Sequence, residues 1–81
     1  MFQPQLNAAI VGKVIAGFRT NKGMTQEVLS GLCGMGRSHL SAIENGNRKP
    51  TLETLYRMSV ALDIPMSTIV IAIEDEIKKQ L

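Results

Sequence analysis

Apolar residues recur every three or four positions along most of the chain and seldom alternate, and turn formers interrupt them every ten to fifteen residues. That period predicts helices, and the punctuation predicts five short ones. Leu6, Ile10, Val14 or Ile15, and Phe18 repeat at helical spacing, which predicts a first helix from near Pro4 to Asn21, ended by Gly23. Thr25 is placed to cap a second helix whose apolar face is drawn from Val28, Leu29 and Leu32 or Cys33. Gly34 then permits a tight turn, after which Arg37 to Asn45 resumes helical spacing with Leu40 and Ile43 inward. The run Asn45-Gly46-Asn47-Arg48-Lys49-Pro50 reads as a loop. Beyond it Thr51 caps a fourth helix that buries Leu52, Leu55, Met58 and Leu62 and closes near Asp63. Pro65 suits the first turn of a fifth helix, along which Ile69, Ile73, Ile77 and Leu81 form an i, i+4 stripe ending beside Lys78 and Lys79. The expected fold class is all-α, a compact five-helix bundle.

Size and composition narrow the function before any motif does. With 81 residues, 44% of them apolar, the chain builds one domain, residues 1 to 81, with little room for an enlarged active-site cavity. Residues 1 to 50 carry six basic against two acidic side chains, and residues 51 to 81 carry three against five. The front half is therefore suited to a polyanion and the back half to another task. Cys33 is the single cysteine, so no internal disulfide forms, and with only one histidine there is no zinc ligand set. At an inward helical position Cys33 reads as a small buried hydrophobe. No paired carboxylates, nucleophile and base, or phosphate loop are present, so no enzyme, cofactor, metal or small-molecule ligand is expected. The longest apolar run, Ile69 to Ile73, is too short to cross a bilayer, and no signal segment opens the chain. A cytoplasmic location is the expectation.

Between Thr25 and Asn45 two short helices flank a turn containing glycine, the layout of a helix-turn-helix. Ser30 is small where two crossing helices approach, Gly34 stands at the turn, and Leu29, Cys33, Met35, Leu40 and Ile43 supply the shared core. From Ile10 to Ile69 the chain resembles the Cro and phage-repressor type of helix-turn-helix regulators, the xenobiotic-response-element family. The resemblance rests on Gly12, Ile15, Arg19, Lys22-Gly23-Met24-Thr25-Gln26-Glu27, Leu29, Gly34, Leu40-Ser41, Ile43-Glu44-Asn45-Gly46, Pro50-Thr51-Leu52-Glu53 and Ala61-Leu62. It implies a bundle of the phage-repressor DNA-binding-domain type and a partner, double-stranded DNA.

The same resemblance implies roles. Arg19 and Glu44 would form a largely buried ion pair tying the first helix to the end of the third. Arg37 to Asn45 would be the recognition helix in the major groove. Arg37 would read a guanine with its planar fork, Ser38 would accept or donate, and Ala42, one turn on, would touch a thymine methyl. Thr25, Gln26, His39, Ser41, Asn45, Asn47, Arg48 and Lys49 would hold the sugar-phosphate backbone and position the protein without reading sequence. Gly36 departs from the Ser or Thr expected as N-cap, which either weakens the helix start or lets backbone approach DNA.

The last helix, about residues 66 to 81, carries more aliphatic surface than one core stripe needs. Met66, Ile69, Val70, Ile73 and Ile77, with Ile71 and Leu81, are therefore expected to form a two-fold homodimer interface. A dimer would offer two recognition helices to an operator of inverted half-sites, and autoregulation would couple dimerisation to occupancy. The short layout looks like restriction-modification controller proteins, and equally like small phage or plasmid repressors. The alternative is an interaction module, for example an antitoxin, that uses the scaffold to hold another protein; the alignment of Gln26, Arg37, Arg48 and Lys49 on one side speaks for DNA.

Overall fold

Asn7 starts the first helix. Its side-chain Oδ1 accepts from the backbone N–H groups of Ala9 (2.9 Å) and Ile10 (3.3 Å), satisfying two donors that a helix start leaves without partners. In the computed structural model, which describes residues 2–81, α1 therefore spans Ala8–Asn21 and does not begin near Pro4. Leu6 lies ahead of it in non-helical backbone and is exposed, so it takes no part in the apolar stripe. Val14 and Ile15 are both buried, together with Val11, because the helix crosses two partners rather than one.

The remaining helices are α2 (Gln26–Leu32), α3 (Arg37–Glu44), α4 (Leu52–Ala61) and α5 (Met66–Lys79). Thr25 and Thr51 cap α2 and α4, each hydroxyl accepting from the N–H three residues on, at 3.1 and 3.0 Å. Gly34 turns the chain between α2 and α3 at φ 68°, a conformation open to glycine without the steric cost a Cβ brings. Asp63 adopts the same left-handed region after α4, at φ 55°, and lets the Ile64 N–H reach back to the Ser59 carbonyl (3.0 Å). Pro65 stands at the N-cap of α5, just outside the first turn.

α1 packs on α3 and α5, α2 on α3 and α4, and α4 on α5, so all five helices share one core. Leu29, Leu40, Ile43, Met58 and Ile69 are fully buried at its centre. Ser30 and Ser59 are the buried polar residues, and each hydroxyl donates to a carbonyl of the preceding turn, from Glu27 (3.1 Å) and Tyr56 (2.6 Å). Small size admits the neighbouring helix, and the local bond satisfies the hydroxyl.

Two expected core positions, Val28 and Leu52, face solvent, and the choice left open between Leu32 and Cys33 falls to Cys33. On α2, Leu29 and Cys33 point inward and Val28 and Leu32 outward; on α4, Leu52 is 72% exposed. Val28 and Leu32 repeat at the same four-residue spacing as the buried pair, one position out of phase, and a helix turns about 100° per residue, so only one pair can meet α3 and α4. Leu52 is the first residue of α4, ahead of the turn that touches the bundle. Leu81 lies beyond the end of α5 and is fully exposed. The larger correction concerns the expected dimer face. Ile69 and Ile73 are core residues, Met66 and Ile77 are half-buried against that core, and of the five residues expected at the interface Val70 alone is exposed. Closing a bundle this small uses the stripe that the sequence pattern had assigned to a partner.

Candidate nucleic-acid interface

The short turn at Gly34 sets the start of α3 beside the start of α2. Arg37, the first residue of α3, donates from Nη1 to the side-chain Oε1 of Gln26, the first residue of α2, at 3.2 Å. The other end of the Gln26 amide donates from Nε2 to Glu44 Oε1 at 3.0 Å. Glu44 also receives Arg19, whose Nε donates to Oε2 at 2.7 Å and whose Nη2 donates to Oε1 at 2.9 Å. Arg19 Nη1 completes the set by donating to the Met24 carbonyl at 2.8 Å. One connected network thus runs from the end of α1 through the end of α3 to the exposed tip of Arg37. The Arg19 and Glu44 side chains are only 14% and 5% exposed, and the hydrogen bonding that Arg19 donates to Glu44 is the main cause that raises the Arg19 guanidinium above its ordinary value, against the opposing effect of burial.

Leu40 and Ile43 turn one face of α3 into the core, which leaves Ser38, Ser41, Ala42 and Asn45 on the other. Arg37 and Ser38 are exposed at the helix start; His39, Ser41 and Ala42 are half-buried. Gly36 occupies the N-cap with no side-chain cap, so the first turn of α3 presents bare backbone. Asn45, Asn47, Arg48 and Lys49 are all exposed on the loop that follows, and Asn45 Nδ2 donates to Ser41 Oγ at 3.3 Å. Thr25 is exposed, its hydroxyl oxygen engaged as the cap of α2. All eleven residues expected to meet DNA therefore lie on α3, on the loop after it, or at the start of α2. The linkage of Gln26 to Arg37 and Glu44 had no signature in the sequence, where the two stand 11 and 18 positions from Gln26; only the crossing of α2 and α3 brings them together.

Away from this surface the chemistry is sparse. Among the described residues no three His, Cys, Asp or Glu side chains gather where a metal ion would sit, and no single helix is long and apolar enough to cross a membrane. Cys33 is buried beneath a groove of about 720 Å³ between the end of α2 and α4, edged by Leu32, Tyr56, Arg57 and Val60. Burial pushes its thiol up, and the nearby Arg57 charge only partly opposes this. The native thiol is thus expected to react slowly with iodoacetamide at pH 8 and rapidly once denatured; equal rates would contradict its burial. Because the folded value lies above the unfolded one, the stability gained by keeping the thiol neutral is complete below the ordinary thiol range and is lost as pH rises through the folded value.

Comparison with known proteins places this geometry among regulators. The pattern of the helix-turn-helix family matches residues 15–69. The HTH-type transcriptional regulator y4dJ of Sinorhizobium fredii is 40% identical over 55 residues, which is 68% of this chain and 71% of that protein. Among solved structures, the restriction-modification controller protein C.AhdI from Aeromonas hydrophila superimposes with a TM-score of 0.76 at 31% identity, covering 80% of this chain and 98% of that one. The wild-type restriction-modification controller protein C.Esp1396I gives 0.82 at 29% identity, covering 94% and 99%.

Proposed function

This chain belongs to the helix-turn-helix family of DNA-binding transcriptional regulators, and from that premise we propose that it acts as a homodimer on an operator of two inverted half-sites, α3 of each copy lying in the major groove. The observation that carries the reading is the placement of Arg37 and Ser38 at the exposed start of α3, with Arg48 and Lys49 exposed on the loop beyond its end. Arg37 reads a guanine through O6 and N7, Ser38 reads its neighbour, and Ala42 meets a thymine methyl. Thr25, Gln26, His39, Ser41, Asn45, Asn47, Arg48 and Lys49 border that face and position it on the phosphates.

Dimerisation falls to the outer face of α5. Val70 and Ile71, 38% and 56% exposed, are adjacent large aliphatics there, with the outer edges of Met66 and Ile77 to either side along the helix. Two-fold pairing through this face would set the recognition helices about 34 Å apart, one helical turn of DNA. Binding that depends on dimerisation responds to protein concentration, which suits a regulator acting on its own promoter. The likeness to C.AhdI and C.Esp1396I, both restriction-modification controller proteins, supports that mode of control.

Selection of bound fragments from a random duplex library is expected to return a near-palindrome with half-site centres about 10 base pairs apart. Arg37→Ala is expected to lower affinity by about 1 to 3 kcal/mol and to relax preference at one base pair per half-site, whereas Arg48→Ala weakens all sequences alike and reduces the salt slope by about 1. Recovery of no motif would favour a protein-binding scaffold instead. Sedimentation is expected to show a dimer at micromolar concentration that Ile71→Asp dissociates; a monomeric wild type with undiminished operator affinity contradicts the dimer.

A further inference from the structure

Most of the large apolar side chains that the helices leave exposed stand on α2 and α4. Val28 and Leu32, one turn apart on α2, are 50% and 60% exposed, and Tyr56 and Val60, one turn apart on α4, are 57% and 62% exposed. On α5 only Val70 and Ile71 remain. Leu32 borders the groove of about 720 Å³ from the α2 side, Tyr56 and Val60 border it from the α4 side, and the small residues Gly34 and Ala61 leave it open between them. Contiguous apolar surface of this kind marks an interaction site. Arg57 is the one charged side chain in the lining. Among the described residues it stands in no ion pair, although Glu53 lies one turn before it, and its charge is felt at the Cys33 thiol beneath the groove. We propose that this groove docks an amphipathic helix of another protein, one that carries a carboxylate at the edge of its apolar stripe.

Shape and charge select that occupant. An apolar groove between two helices accepts a third helix laid along it, anchored by side chains one turn apart. Tyrosine and arginine are prominent among the residues that anchor such contacts, and an arginine at the rim pairs best with a carboxylate, which meets its fork with two bonds. A second copy of this chain placed by a two-fold axis would set groove against groove. Two concave faces leave space between them, and neither lining offers an anion to Arg57. The outer face of α5, where Ile71 stands near Glu74 and Asp75, is convex and acidic, but the two-fold pairing proposed above already occupies it. None of the eleven residues proposed to meet DNA lines the groove, so a partner and an operator use separate surfaces.

The test uses the intact chain and two synthetic helices of about 15 residues, the length at which an isolated helix begins to hold in water. Both carry the same leucine stripe; glutamates border it in one and lysines in the other. In an NMR titration the acidic helix is expected to shift the amides of Leu32, Tyr56 and Val60, and to bind about three- to tenfold more tightly than the basic one, the size of one net hydrogen bond. Arg57→Glu should reverse that order. Val60→Ser should weaken both helices about fourfold, the worth of one methylene left in water. Both side chains are exposed, so each variant should unfold at the wild-type temperature and hold the operator as wild type does. The proposal is overturned if neither helix shifts these amides, if the shifts fall only on α3 and the loop after it, if Arg57→Glu leaves the order unchanged, or if either variant loses operator affinity. Sedimentation distinguishes the other occupant: a dimer that dissociates on Val60→Ser places a second copy in the groove and overturns the separate partner.

Discussion

Gly12→Ala is expected to cost about 3 kcal/mol or more, beyond the usual range for overpacking, because the added methyl meets backbone and not a movable side chain. A Cβ built there would stand 2.3 Å from the Ile43 carbonyl oxygen, 2.6 Å from that of Glu44 and 2.8 Å from the Glu44 carbonyl carbon. Those atoms belong to the last turn of α3, where the Ile43 oxygen already accepts the Gly46 N–H at 3.1 Å. Relief requires α1 and α3 to separate, and both contribute fully buried residues to the core. A domain of this length holds about 4 to 12 kcal/mol in all, so the variant loses a large share of its stability. Thermal unfolding should fall by more than about 12 °C, at about 4 to 8 °C per kcal/mol for a domain of this size. Gly17→Ala on the same helix is the control: nothing lies within 4 Å of its Cβ, and alanine should stabilise by up to about 1 kcal/mol. A Gly12→Ala midpoint within a few degrees of wild type would show that the helices are not in this contact.

The second large effect is expected from Arg19→Ala, at about 3 to 5 kcal/mol. The penalty comes less from the attraction lost than from the Glu44 carboxylate left behind, whose side chain is 5% exposed and which would retain Gln26 as its one side-chain partner. The Met24 carbonyl loses its donor as well. Replacing both charges, as Arg19→Met with Glu44→Met, is expected to recover much of that cost, since no uncompensated charge remains. The Lys13 and Glu76 pair, 3.7 Å apart with the lysine 72% exposed, marks the contrast: Lys13→Ala should change stability by no more than about 1 kcal/mol. Chemical denaturation of the three variants beside wild type checks the set. An Arg19→Ala curve overlying wild type would remove the ion pair from the frame.

Much of the bundle was legible because it is specified locally. Thr25 and Thr51 cap the helices they were expected to cap, the turn falls at Gly34, and Leu55, Met58 and Leu62 are buried as their spacing predicts. The exposure of the side chains proposed to meet DNA was legible in composition and order: Arg37, Arg48 and Lys49 are basic at positions that a helix start or a loop exposes. What remained hidden depended on neighbours distant in sequence. Ile69 and Ile73 looked available to a partner, and α1 and α4 use them; Val28 and Leu32 looked as inward as Leu29 and Cys33, and the position of α3 and α4 chose between them.

Taken alone, the sequence determined the five helices, the caps of α2 and α4 and the turn at Gly34, since each follows from bonds and backbone preferences within a few residues. Tertiary structure decided the rotation of each helix about its axis, the reach of the Arg19 and Glu44 network to Gln26 and Arg37, and how little of α5 is left for a second copy. The physical reason is that a helix with apolar residues at adjacent positions has more than one face it can bury, and only the helices it meets select one.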